Sequence, residues 1–186
     1  MTGSDDQTLI RRIAERDQTA MSALYARHHV RLYRYLVRLI RNEAIAEELM
    51  NEVFLETWRK ADKFEGRSAV STWLMSIAHN KAVSLLRKRG EETLDDAVAA
   101  QLADQDDTPE VVSQKRDKAE IMRDCIDRLS ADHREIIDLV YYHDKSVAEA
   151  SAILDIPENT VKTRMFYARK KLSEIMLEAG VDRGWP

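Results

Sequence analysis

Residues 146–172 read SVAEASAILDIPENTVKTRMFYARKKL, and this stretch decides the fold. Ser146 followed three positions later by Glu149 is a capping box, in which the hydroxyl and the carboxylate each satisfy a backbone N–H at a helix start. The short helix it opens runs to about Leu154, where Asp155-Ile156-Pro157 turns the chain; Asp is one of the few residues that accept a left-handed backbone there. The next helix carries Val161, Met165, Ala168, Leu172 and Ile175 on one apolar stripe. Capped helix, tight turn and amphipathic helix together make a helix-turn-helix. Away from the stripe lie Asn159, Thr160, Lys162, Thr163, Arg164 and Tyr167, then Arg169, Lys170 and Lys171, with no acid from Asn159 through Ser173. Polar side chains at the start of such a helix suit base edges in the major groove, and the basic ones suit phosphates. An ordinary solvated surface helix would be amphipathic too, but it would mix its charges.

Composition outside this stretch favours the same class. The chain has 186 residues, 33% of them charged and only 6% aromatic, with five Gly and three Pro. Strands and disulfide scaffolds need more turn formers and more aromatic or β-branched side chains, so an all-α fold of two small helical domains is expected. The lone Cys125 rules out an internal disulfide and fits a reducing compartment. The first residues, MTGSDD, are polar and acidic rather than a signal peptide, and no apolar run approaches the roughly 18–20 residues of a membrane span. A cytoplasmic protein without membrane insertion is therefore expected.

The net charge of −4 at first argues against nucleic acid. Eight acids, however, fall between Glu91 and Gln114, where there is no Lys or Arg; the rest of the chain holds 29 bases against 25 acids. The acidity belongs to one aperiodic segment, 91–107, which reads as a linker between domains at 1–90 and 108–178, with 179–186 as a tail. No phosphate-binding glycine loop occurs. The five histidines form no H-E-x-x-H pattern and Cys125 has no partner constellation, so neither catalysis, nor a metal site, nor a cofactor is expected.

In the first domain, apolar spacings of three and four predict four helices. Ser4 with Gln7 starts the first, Asp17 caps the second, and Asn42 caps the third, which turns Ala46, Leu49, Met50, Val53, Phe54 and Trp58 inward. Ser68 or Ser71 opens the fourth, which ends at Gly90. On that fourth helix Trp73, Ser76, Asn80, Ser84 and Arg87 share one face, while Val70, Leu74, Ile77, Ala78, Lys81 and Leu85 share the opposite, mostly apolar one. In the second domain, Thr108-Pro109-Glu110 starts a helix and Ser130 caps another.

The segment Ile156-Pro157-Glu158-Asn159-Thr160-Val161-Lys162-Thr163-Arg164 resembles region 4 of the extracytoplasmic-function sigma factors, members of the sigma-70 superfamily. The sequence departs from the family at Asp155, where Gly is usual, and at Ala150, where a bulkier aliphatic is common. Residues 20–90 resemble region 2, with Ile45-Ala46-Glu47-Glu48-Leu49-Met50-Asn51-Glu52-Val53-Phe54 in place of the family's acidic cluster; Ile45 and Asn51 depart from it. Lys63-Phe64-Glu65-Gly66-Arg67-Ser68 with Ser71-Thr72-Trp73-Leu74 resembles the promoter-melting segment.

The resemblance implies an alternative sigma factor, not an enzyme, that binds core RNA polymerase through the β′ clamp and β flap. It implies polymerase contacts at Glu47, Glu48, Leu49, Glu52 and Phe54, and −10 contacts at Phe64, Arg67, Ser68, Trp73, Ser76, Asn80, Ser84 and Arg87. It implies −35 contacts at Asn159, Thr160, Lys162, Thr163, Arg164, Tyr167 and Lys170. It further implies an anti-sigma protein as partner, a stress response as setting, and a linker that lies in the polymerase's RNA exit path. Two other classes compete. A conventional helix-turn-helix regulator explains the last helix but not the Phe64–Trp73 segment, and a purely protein-binding helical adaptor predicts mixed charge on the last helix.

Overall fold

The computed structural model describes residues 5–95 and 118–181, the side chains of 91–95 and 118–119 excepted; the predicted Thr108 helix start, the linker and the 182–186 tail lie outside them. Eight α-helices and no strand occur among the described residues. α1 (Asp6–Ala14) is short, yet Leu9, Ile10 and Ile13 recur at helical spacing and all three are fully buried. Ser4 is outside the described residues, and the position before α1 is Asp5, whose side chain makes no cap.

α2 (Gln18–Ile40) begins at Asp17, whose carboxylate accepts from the backbone N–H of Thr19 (2.8 Å) and Ala20 (3.1 Å). Two orphan donors are thereby satisfied, and Arg12 adds a second hold on the same carboxylate at 2.7 Å. α3 (Glu43–Lys60) is capped by Asn42, as its sequence predicts, and a 3₁₀ turn at Ala61–Lys63 follows. α4 (Val70–Asp95) starts after Ala69 rather than at Ser68 or Ser71. It also runs through Gly90 to Asp95 instead of stopping there; a glycine inside a helix costs only about 1 kcal/mol, too little to end it without other signals. The first unit therefore extends past the expected boundary at 90. α2, α3 and α4 pack on one another around Leu24, Leu32, Leu36, Val53 and Leu74, and α1 lies across α2 and the 3₁₀ turn.

The second group comprises α5 (Lys118–Asp127), α6 (Ala131–Ile137), α7 (Val147–Leu154) and α8 (Glu158–Glu178). Ser130 caps α6, and the capping box at Ser146 and Glu149 opens α7 with both of its hydrogen bonds formed. A π turn at Asp138–Tyr142 prolongs α6. Asp155 takes the left-handed conformation (φ 52°) that the turn between α7 and α8 demands. Ile136, Leu139, Ile153, Val161, Ala168 and Ile175 form this unit's core. The two groups touch: α7 lies against the start of α4, and α6 against α2.

Candidate nucleic-acid interface

Two helices present polar faces to solvent, and each is held in place by an apolar opposite side. On α8, Val161, Met165, Ala168 and Ile175 are buried, which leaves Asn159, Thr160, Lys162, Thr163, Tyr167, Arg169, Lys170 and Lys171 exposed. Thr163 donates its hydroxyl to the Asn159 carbonyl at 2.9 Å. Arg164 differs from its neighbours. Its guanidinium stands 3.2 Å from Asp132 of α6 with only 23% of the side chain exposed, so it ties α8 to α6.

Sequence reasoning missed Phe166, whose side chain is 59% exposed and edge-on to Tyr167 at 5.4 Å. The spacing held the signal: Phe166 falls midway between Lys162 and Lys170, one turn from each on the outer side. An exposed ring there offers apolar contact to a thymine methyl in a major groove.

On α4, Val70, Leu74, Ile77 and Ala78 are buried as the periodicity predicts, while Asn80, Ser84 and Arg87 are exposed. Trp73 and Ser76 are half-buried. The Trp73 ring leans on Phe64 at 5.1 Å, which fastens the preceding segment to the helix, and Ser76 spends its hydroxyl on the Trp73 carbonyl at 2.7 Å. Gly66 sits at φ +70°, a conformation a side chain resists, so the turn before α4 needs glycine. Beside it Arg67 is strongly exposed and pairs with Glu65 at 2.6 Å, and Ser68 is half-buried. Behind the loop, Arg16 reaches the Trp58 carbonyl at 2.9 Å and lies over the Trp58 ring, so α1 and α3 brace the loop's entry.

The acidic surface expected to meet another protein needs correction at two positions. Leu49 and Phe54 are 6% and 4% exposed and belong to the core, because they fall on the same face of α3 as Ala46, Met50, Val53 and Thr57. The outward face holds Glu47, Glu48, Asn51, Glu52 and the 55%-exposed Leu55. Phe54, though buried, lines an open groove of about 600 Å³ together with Met21, Asn51, Leu55 and Trp58. Glu52 and Glu56 both reach Lys81 of α4 at 3.1 Å. Partial burial pulls the Lys81 pKa down, but hydrogen bonds and charge from these two carboxylates outweigh it and leave it raised.

Residues 24–92 match the family model of Sigma-70 region 2, and residues 119–172 that of Sigma-70, region 4. The ECF RNA polymerase sigma factor SigK of Mycobacterium tuberculosis is 30% identical over 172 residues, covering 91% of this chain and 92% of its own. The chain belongs to the extracytoplasmic-function sigma factors. SigL of the same organism is likewise 30% identical, over 171 residues, covering 91% of this sigma factor and 96% of SigL. Among solved structures, the sigma factor RpoE in complex with the anti-sigma factor NepR from Bartonella quintana superposes with a TM-score of 0.69 at 27% identity, over 87% of this chain and 98% of that one. CnrH in complex with the cytosolic domain of CnrY gives 0.67 at 26%, over 94% and 97%. The family consists of non-enzymatic transcription initiation factors, so the two polar faces of this sigma factor fall on its regions 2 and 4. No described helix is long and apolar enough to cross a membrane.

Proposed function

We propose that this sigma factor joins core RNA polymerase through the outward face of α3, with Leu55 as the apolar knob and Glu47, Glu48 and Glu52 as its charged rim. Asn80, Ser84 and Arg87 on α4, with the Phe64–Trp73 segment beside them, read the −10 element on one strand. Unstacking a base there costs a few kcal/mol, which stacking and hydrogen bonds return. Asn159, Thr160, Lys162, Thr163, Phe166, Tyr167 and Lys170 read the −35 element. Arg164 supports them from behind through Asp132.

The observation that carries this reading is the acid-free, outward-facing surface of α8 in a chain of this family. The known complexes of RpoE with NepR and of CnrH with CnrY support control by an anti-sigma partner, which would cover the same α3 surface. The reading also takes the protein to be cytoplasmic, since its template and polymerase are there.

Reconstitution tests the proposal. The purified chain and core polymerase should co-elute in equal amounts, and the complex should start transcripts at promoters selected from a genomic library. A chain that retards DNA alone but leaves core polymerase unbound is a conventional regulator, and the proposal falls.

A further inference from the structure

Helix α2 carries charge of one sign. Its 23 residues, Gln18–Ile40, include Arg27, Arg31, Arg34 and Arg38 and no Asp or Glu, and the position that ends it adds Arg41. These arginines recur at spacings of four and three, so they share one stripe along the helix. Like charges at those spacings destabilise a helix, so the stripe is a cost the fold does not require. At three positions the structure offsets it: Arg27 pairs with Asp6 of α1, Arg38 with Asp138, and Arg41 with Asp127 at 3.1 Å. Arg31 and Arg34 stand between these pairs. Both are exposed, and neither meets a carboxylate among the described residues.

The flank of α2 beside the stripe is engaged inside the molecule. His28 Nε2 lies 2.8 Å from Asp6, and the Tyr35 hydroxyl donates to Glu135 of α6 at 2.5 Å, a carboxylate that also meets His79 of α4 at 2.7 Å. Arg31 borders a small cavity that Lys145 also lines, so a second cation stands on its inner side.

The chemistry of the outer face points to its partner. A protein interface needs an apolar centre with charge at the rim. Here the one large apolar side chain among the arginines is Val30, 44% exposed, with the small Ala23 and Ala26 above it. Guanidinium forks fit phosphate oxygens, and a row of them along a helix is the footprint of a nucleic-acid backbone. From Arg27 to Arg34 the helix rises about 10 Å at ~1.5 Å per residue, over which one strand of a duplex presents about three phosphates at ~3.4 Å each. α2 also packs directly on α4, which carries the Asn80 face.

We propose that the outer face of α2, centred on Arg31 and Arg34, is a further DNA-contacting surface that grips the phosphate backbone beside the −10 element without reading its sequence. The inference deepens the proposed function and rests on its assignment of promoter binding to the first group of helices. α4 and α8 read bases; α2 adds affinity shared by all sequences, together with part of its salt dependence.

Holoenzyme carrying Arg31→Ala with Arg34→Ala tests this on a forked promoter fragment, single-stranded through the −10 element and duplex upstream. The variant should bind at least about tenfold more weakly at low salt, with helical circular dichroism and affinity for core polymerase unchanged. Its plot of log affinity against log salt should be shallower by about 1.4 if the two phosphates lie on the single strand, and by about 1.8 if they lie on the duplex. Arg34→Gln alone should show about half that change and decides the matter if the double variant unfolds. Arg31→Lys with Arg34→Lys keeps the charge and should restore most of the slope. Replacing adjacent phosphates of the fragment, two at a time, by neutral methylphosphonates should reveal a pair whose loss weakens wild type and leaves the alanine variant unaffected. An unchanged slope in the folded variants overturns the proposal. So does intact DNA binding with weakened binding of core polymerase or an anti-sigma protein, which makes the face a protein-binding one. If wild-type holoenzyme does not distinguish the −10 sequence from a scrambled one, the reading of α4 falls, and the slope measured on the scrambled fragment still decides whether α2 holds phosphates.

Discussion

Replacing Glu149 by Gln preserves the size of the side chain and allows the capping box, in which either residue serves, but removes the charge and turns one of the two accepting oxygens into an NH2 donor. In the native protein the carboxylate accepts from the Ser146 N–H (3.0 Å), the Thr72 hydroxyl (2.8 Å) and the Lys145 ammonium (3.2 Å). Partial burial raises its pKa, but those three partners more than reverse that and hold it at about 2 against an ordinary 4.5. At ~1.4 kcal/mol per unit, such a difference is worth about 3.5 kcal/mol if nothing dilutes it. The side chain keeps 32% of its surface in water, so solvent screening brings the expected loss in Glu149→Gln to about 1–2 kcal/mol. For a chain of this size that is a fall of about 3–6 °C in Tm.

The pH dependence has a definite sign. Because the folded pKa lies below the unfolded one, the contribution is complete well above pH 4.5, declines as the pH drops through the carboxylate range, and is gone below about 2. Urea unfolding of both proteins at pH 7 and pH 3.5 checks it. The gap between wild type and variant should be about 1–2 kcal/mol at pH 7 and roughly two-fifths smaller at pH 3.5. A gap that is absent at pH 7, or undiminished at pH 3.5, refutes the assignment of charge as the source.

Four further outcomes are expected. Leu55→Glu should weaken binding to core polymerase at least about tenfold (~1.4 kcal/mol) while unfolding within about 0.5 kcal/mol of wild type, since the side chain is 55% exposed; titration against labelled core reads the first and urea the second. Lys162→Ala with Lys170→Ala should make the plot of log affinity for a −35 duplex against log salt shallower by about 1.8, measured by fluorescence anisotropy from low to moderate salt. Arg164→Ala should instead lower stability and leave that slope nearly unchanged, because its guanidinium is occupied by Asp132. Asn80→Ala should reduce affinity for a single-stranded −10 oligonucleotide bound by holoenzyme and leave the affinity for core polymerase intact, because Asn80 is exposed on α4 whereas the polymerase surface proposed above is on α3.

How much of this was legible depends on the distance over which each signal acts. Caps and turns act over three or four residues, and Asp17, Asn42, Ser130, the Ser146–Glu149 box and the left-handed Asp155 all stand where the sequence places them. Faces act over one helix and were legible wherever the period was followed. The buried set Ala46, Leu49, Met50, Val53, Phe54 and Thr57 recurs at spacings of three and four; following it one residue further puts Leu55 outside. Likeness to the family's motif drew attention to Leu49 and Phe54 instead, although their periodicity already assigned them to the core. Phe166 was passed over in the same way, as an apolar residue on a face judged by its charges.

The contact between domains had no such signal. Tyr35 and Glu135 are 100 positions apart, and His79 and Glu135 are 56 apart. In isolation a glutamate on a seven-residue helix looks like a solvated charge, and nothing within a turn of it shows that two other helices supply its donors. Glu135 is costly to bury alone and inexpensive when met by Tyr35 and His79, so its burial follows from tertiary structure alone. A seam of leucines would have been readable in the sequence as an apolar stripe left over on each partner helix.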